Sequence, residues 1–233
     1  MNQEWKSHNI NSLQNYYQGS IVSDYEARRA TQASWHKEAR VLDSFLEQLD
    51  LAPGTRVLDV PIGTGRFLET FMRRRFHVIG RDISADMVAV SRQRATALGQ
   101  ADADIALGDG TNIDLADNGV ALVVSVRFLV HLELSIIDLI LAELARVSSG
   151  HVIAHVRLEA PGRLNAMRRA LDRTLRKLRR VSVKKVSNKA ATVHRHEDVH
   201  ALFKKHGLQV LRDEICNRTK KGHDSHLYLL QCT

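Results

Sequence analysis

Three aspartates sit at matching places in successive segments of the chain: Asp59 in VLDVPIGTGRF, Asp82 in HVIGRDI and Asp109 in ADIALGDGT. Each closes an apolar run of strand length, so each carboxylate would stand at the carboxyl end of a strand. The first is followed by a turn carrying Gly63 and Gly65. Strand-end carboxylates accept hydrogen bonds from ribose hydroxyls, and glycines let backbone approach a ligand closely. A crevice lined in this way suits a ligand with a ribose, an exocyclic amine and a positive charge, and suits a pyrophosphate poorly. The turn is not a P-loop, because Arg66 and Phe67 follow Gly65 where Lys and Ser or Thr are required. It does not complete the dinucleotide-binding pattern either, since Leu68 holds the place of the third glycine. Pro61 fits a stiffened turn, provided its missing amide is not needed and φ is about −65°.

A second set of residues could move a proton. His131 follows the apolar run VALVVSVRF, on a turn shared with Arg127. An imidazole titrates near neutrality and suits a general base, while Arg127 would bind an acidic acceptor. The other reading of His131 is a cap for the helix that follows. Histidines also cluster in HRHEDVH (His194, His196, His200) and HDSH (His223, His226). His196 and His200 share a helix face, yet no third ligand is identifiable, so no metal site is expected.

The elements that must position these groups alternate along the chain. Residues 23–50 read as a helix, with Ser23 and Glu26 spaced as a capping box and Trp35, Ala39, Leu42, Leu46 and Leu49 in a helical stripe. Strands are expected in RVLDVPI, HVIGRDI, ADIALGD, NGVALVVSVRF and HVIAHVRL, with helices in GRFLETFMRRR, SADMVAVSRQRATAL and LSIIDLILAELARVS. Near-continuous apolar strands alternating with helices imply a parallel sheet covered on both faces. HEDVHALFKKHGLQVLRDEIC adds a helix, a stop at Gly207 and a strand, and HLYLLQC a final strand. The connection RTKKGHDS is too short for a crossover, so the last strand should run antiparallel to its neighbour. The expected fold is therefore α/β: a doubly wound, mostly parallel seven-stranded sheet with helices on both faces, its last strand antiparallel, and a helical insertion before the sixth strand.

At this point the chain resembles the class I S-adenosylmethionine-dependent methyltransferases, nearest to the branch acting on small molecules and lipids. The resemblance covers roughly residues 20–155 and the closing hairpin: VLDVPIGTG resembles the first motif, IGRDISADM the second, LGDGT the third, and VALVVSVRFLVHLE the later strand and turn. It implies S-adenosylmethionine as cofactor. Asp59 would orient the turn and help hold the methionine ammonium, and Gly63 and Gly65 would admit the methionine part. Asp82 would grip the ribose, and Ile83 and Met87 would pack on adenine. Asp109 would accept from the adenine amine beside Gly110 and Thr111, and Ser125 and Val126 would line the floor. The resemblance also implies an N-terminal helical lid over residues 1–50, with Tyr16, Tyr25, Arg28 and Arg29 reaching in. The chain departs from the pattern at Pro61, in place of the first glycine, and at Ala121, where an acid is usual.

Charge distribution bounds the partners. The 233 residues carry a net charge of +8, but residues 157–189 alone carry +10 and the remainder −2. Within that segment Leu164, Met167, Leu171, Leu175 and Leu178 make one apolar stripe among arginines. This basic insertion, flanked by a core of 51–156 and 190–233, reads as a substrate cap, as a dock for an anionic lipid surface or glycan, or as a binder of RNA backbone. It holds no aromatic residue, so it lacks a stacking platform for bases. No apolar run approaches a membrane span, the N-terminal residues lack a signal-peptide pattern, and two cysteines give no disulfide framework. A cytoplasmic enzyme is expected, with peripheral attachment to the inner face of a membrane left open. It would transfer methyl to an oxygen or nitrogen of a small or lipid/glycan-linked acidic acceptor. An RNA methyltransferase, a nicotinamide-dependent oxidoreductase and a non-catalytic cofactor-binding module are the alternatives.

Overall fold

The structure is a computed structural model that describes residues 30–160, 192–219 and 222–233. The capping box, the four lid candidates and nearly all of the basic insertion lie outside the described residues. Seven strands form one sheet: β1 (Arg56–Asp59), β2 (His77–Asp82), β3 (Asp104–Leu107), β4 (Val120–Ser125), β5 (Ser148–Glu159), β6 (Leu208–Arg218) and β7 (His223–Cys232). Their spatial order is β3-β2-β1-β4-β5-β7-β6. The pairings among β1 to β5 are parallel. β7 lies between β5 and β6 and runs antiparallel to both, as the short connection requires.

The inner strands β1, β2, β4, β5 and β7 are largely apolar on both faces because both faces are covered, whereas the edge strand β6 is mostly exposed or half-buried. Val57, Val78, Leu122, Ile153 and Leu229 belong to one core, and their chain neighbours Leu58, Ile79, Val123, Val152 and Leu230 to the other. This is the two-residue period of a pleated strand, with every register buried. The first core is closed by α1 (Ala33–Leu49), α2 (Leu68–Arg73) and α3 (Ala85–Ala97). The second is closed by α4 (Leu134–Val147) and α5 (His196–Lys205). On α4, Ile136, Ile137, Ile140, Leu141, Leu144 and Val147 are buried, spaced at three and four as a helix stripe demands.

Three expectations change in detail. The helix expected over 23–50 is interrupted at Thr31 and Gln32: Gln32 is extended, and α1 begins at Ala33 with no side-chain cap. The strand expected over RVLDVPI stops at Asp59, two residues before Pro61, which offers no amide to a ladder. Asp109 does not close β3, which ends two residues earlier at Leu107; it sits in the following turn.

Candidate functional site

In the order β3-β2-β1-β4-β5 the chain reverses its winding between β1 and β4. Open sheets of this type bind ligands at that switch point, beyond the carboxyl ends of the strands. An open crevice lies there, bordered by Asp59, the Pro61–Thr64 turn, Asp82, Ile83, Met87, Val126, Arg127, Phe128 and His131. A smaller recess continues from it across Pro61, Asp82, Ile83 and Phe128 to Asp109 and Gly110. The structure thus brings most of the expected site residues to one place. Gly65, Thr111 and Ser125 stand behind the lining instead.

The turn is held open by backbone geometry. Gly63 and Gly65 have φ of +57° and +74°, a left-handed conformation that strains other residues. A Cβ on Gly63 would meet nothing within 4 Å, whereas one on Gly65 would lie 2.5 Å from Leu68 Cδ1. Leu68, in place of a third glycine, is the residue that packs against the turn. Asp82 binds the turn to β2: its Oδ2 accepts from the Gly63 N–H and its Oδ1 from the Ser84 N–H, both at 2.9 Å. Ser84 in turn caps α3 by accepting from the Met87 N–H, which fixes Met87 on the crevice wall. Asp109 accepts from the backbone and side chain of Thr111 through one oxygen, Oδ1. A Cβ on Gly110 would lie 2.9 Å from the Phe128 ring, so this recess is closed tightly.

Asp59 and Asp82 are 2% and 6% exposed, respectively. Burial, then the neighbouring Asp82 charge, hold the Asp59 carboxyl well above its ordinary value, and Arg66 only partly opposes them. Burial raises Asp82 as well, against the hydrogen bonds it accepts. The two buried acids thus face one crevice with their carboxyls raised, and a cationic group entering beside them would relieve both.

The side of the crevice toward α1 was not legible as a site. Trp35 lines it, with the Arg66 guanidinium 3.5 Å from its ring centroid and that of Arg127 at 5.1 Å. Buried Glu38 accepts from Arg66 at 2.8 Å and from Arg127 at 2.7 Å. Burial pushes the Glu38 carboxyl up, but the His155 ring, Arg127 and Arg66 more than offset it and leave it below its ordinary value. Arg127, expected to face an acceptor, is therefore already engaged by Glu38, and its φ of +61° sets that direction. The available signal was an acid, Glu38, three residues after Trp35 on the apolar stripe of α1.

The expected histidine pair does share a helix face. His196 and His200 are 6.3 Å apart between ring centroids, and they pack on His226 and Tyr228 of β7. Among the described residues no group of three or more acids, histidines or cysteines is arranged to hold a metal. No described helix is long and apolar enough to cross a membrane.

Residues 57–149 match the family described as methyltransferase domain. Phosphoethanolamine N-methyltransferase 1 of Arabidopsis thaliana is 31% identical over 91 residues, 38% of this chain and 18% of that protein. The biotin biosynthesis bifunctional protein BioHC of Cellvibrio japonicus is 30% identical over 173 residues, 69% of this chain and 33% of that protein. The chain thus spans a third or less of the length of these curated relatives. Among solved structures, magnesium protoporphyrin IX methyltransferase of Synechocystis with bound S-adenosylhomocysteine superposes with a TM-score of 0.68 at 14% identity, over 97% of this chain and 100% of that one. A geranyl diphosphate methyltransferase in complex with its diphosphate and sinefungin gives 0.62 at 13% identity, over 84% and 78%. The cyclase SpnF gives 0.64 at 17% identity, over 86% and 84%. A fold that also serves a cyclase does not by itself fix the chemistry, which must be argued from the site.

Proposed function

We propose that this chain, whose core belongs to the class I S-adenosylmethionine-dependent methyltransferases, moves a methyl group from S-adenosylmethionine to an oxygen or nitrogen of a small acidic acceptor. The observation that carries the reading is the pair of buried carboxylates, Asp59 and Asp82, facing a crevice at the β1–β4 switch point. The cofactor supplies a methyl group already activated on a cationic sulfonium, together with an ammonium, a ribose and an adenine.

The residues present fit that group. Asp59 would balance the ammonium, and the open space at Gly63 leaves backbone accessible to the methionine part. Asp82 keeps lone-pair capacity beyond what it uses for the backbone of Gly63, Ile83 and Ser84, and this would accept from the ribose hydroxyls. Ile83 and Met87 offer apolar surface for adenine. Asp109 borders the recess, and its Oδ2 would take the exocyclic amine, since Oδ1 already serves Thr111. His131 stands on the crevice wall and would remove a proton from the acceptor atom. Trp35 and the Arg66–Glu38–Arg127 link would close the side toward α1 and keep water out.

A lipid- or glycan-linked acceptor, attachment to an anionic membrane and RNA binding all depend on residues 157–189, most of which lie outside the described residues. The test is transfer of labelled methyl from S-adenosylmethionine into a cell extract, separated into RNA, lipid–glycan and small-molecule fractions. It is paired with S-adenosylhomocysteine binding by the wild type and by Asp82→Ala. Label in the small-molecule fraction, with binding lost in Asp82→Ala, is the expected result. Label in RNA replaces the acceptor class. Absence of cofactor binding by the wild type overturns the reading.

A further inference from the structure

A second, polar pocket adjoins the crevice. It is bordered by Gln32 and Glu38 from the α1 side, Arg127 and His131 from the turn after β4, and His155 and Arg157 from β5, with Asn217 and Ser225 at its far end. Arg127 and His131 border both spaces, so they form the wall between them. Nothing in the sequence singled out His155, which looks like one more interior residue of HVIAHVRL.

The protonation of His155 follows from its surroundings. Its Nδ1 lies 3.2 Å from the backbone nitrogen of Arg127. A backbone N–H only donates, so Nδ1 is the acceptor and carries no proton. Burial above all, joined by Arg127, Arg157 and His131 and opposed by Glu38, brings the ring down to about 4. The ring is therefore neutral at neutral pH, and its single proton sits on Nε2. His155 is 3% exposed, and Nε2 is buried with no hydrogen-bond partner among the described residues. A buried donor left without an acceptor is costly, and native proteins seldom keep one without a use.

The remaining polar wall asks for the same partner. The guanidiniums of Arg127 and Arg157 and the side chains of Asn217, Ser225 and Gln32 border the pocket as well. Glu38, the one acid among its described lining residues, is already committed to two guanidiniums. The pocket offers donors and positive charge to whatever enters.

We propose that this pocket anchors a carboxylate of the methyl acceptor, with the His155 Nε2–H donating to one carboxylate oxygen and Arg157 balancing its charge, so that the atom to be methylated lies on the His131 side of the shared wall. The inference rests on the methyltransferase reading for the acceptor's role. The pocket's affinity for a carboxylate does not depend on that reading.

The experiment is a titration of the full chain, labelled with ¹⁵N-histidine, with and without S-adenosylhomocysteine. The ring resonances are followed as glutarate, its uncharged diamide or inorganic phosphate is added. His155 is assigned by loss of its signal in His155→Gln. We expect a neutral Nε2–H tautomer before any addition, and a saturable shift with glutarate but not with the diamide. Arg157→Met should weaken the glutarate response at least about fivefold and leave cofactor affinity unchanged. A proton on Nδ1, a His155 resonance indifferent to tens of millimolar glutarate, or a response to phosphate alone overturns the proposal. Loss of cofactor binding with the glutarate response intact would instead count against the methyltransferase reading and leave the carboxylate site standing.

Discussion

Replacing Glu38 by glutamine removes one charge from the link that fastens α1 to both the glycine turn and the turn after β4. Glu38 is 2% exposed, and its guanidinium partners Arg66 and Arg127 are 11% and 15% exposed in their side chains. Breaking a buried ion pair by removing one partner costs about 3–5 kcal/mol. Glutamine keeps one acceptor oxygen, and both arginines keep their contact with the Trp35 ring, so the lower end applies, about 3 kcal/mol. For a chain of this size each kcal/mol moves the midpoint by about 2–4 °C, so thermal unfolding at pH 7 should fall by about 6–12 °C. The pH dependence is a second, independent readout. The folded Glu38 carboxyl lies below its ordinary value. Its contribution is therefore present above the unfolded value of about 4.3 and is lost as pH falls through the folded value. Calorimetry of both proteins across this range should show the gap between them closing under acid conditions. A gap at pH 7 of less than about 2 °C, or one that persists unchanged into acid, would refute the argument that this ion pair holds the α1 side of the crevice.

Other consequences can be measured separately. A cationic ligand beside Asp59 should lower its raised carboxyl, so S-adenosylhomocysteine binding should release a proton and tighten as pH rises between the free and bound values. Titration calorimetry in two buffers of different ionisation heat tests this, and a buffer-independent heat would exclude it. Gly63→Ala should cost about 1–2 kcal/mol for its left-handed backbone alone. Gly65→Ala should cost about 1–3 kcal/mol more, because its Cβ must also displace Leu68. Equal denaturation midpoints for these two variants would contradict that packing. Once an acceptor is in hand, His131→Ala should lower kcat by about 10²–10⁴ with cofactor affinity preserved, and an undiminished rate would remove it as the base.

The strand and helix order was readable because its signals are local. Apolar runs such as VALVVS and HVIAHV are buried on both faces, so each declares a covered parallel strand without knowledge of its partners. The hairpin direction of β7 followed from the shortness of its connection, and the three aspartates were identifiable because each lies at or just beyond a strand end, the one place on an open sheet where ligands collect. Glu38, Trp35 and His155 carried no comparable mark. Glu38 and Trp35 occupy a helical stripe that by period alone belongs to a core, and His155 sits in a strand that by composition belongs to one. Their significance comes from what lies opposite: a guanidinium 28 residues away for Glu38 and another 89 residues away, and a backbone amide 28 residues away for His155. Period and composition report the burial of a residue from its own neighbours in the chain. The partner that turns a buried acid into a clasp, or a buried imidazole into a donor facing a pocket, is set by the folding of distant segments against each other, and only the tertiary structure decided it.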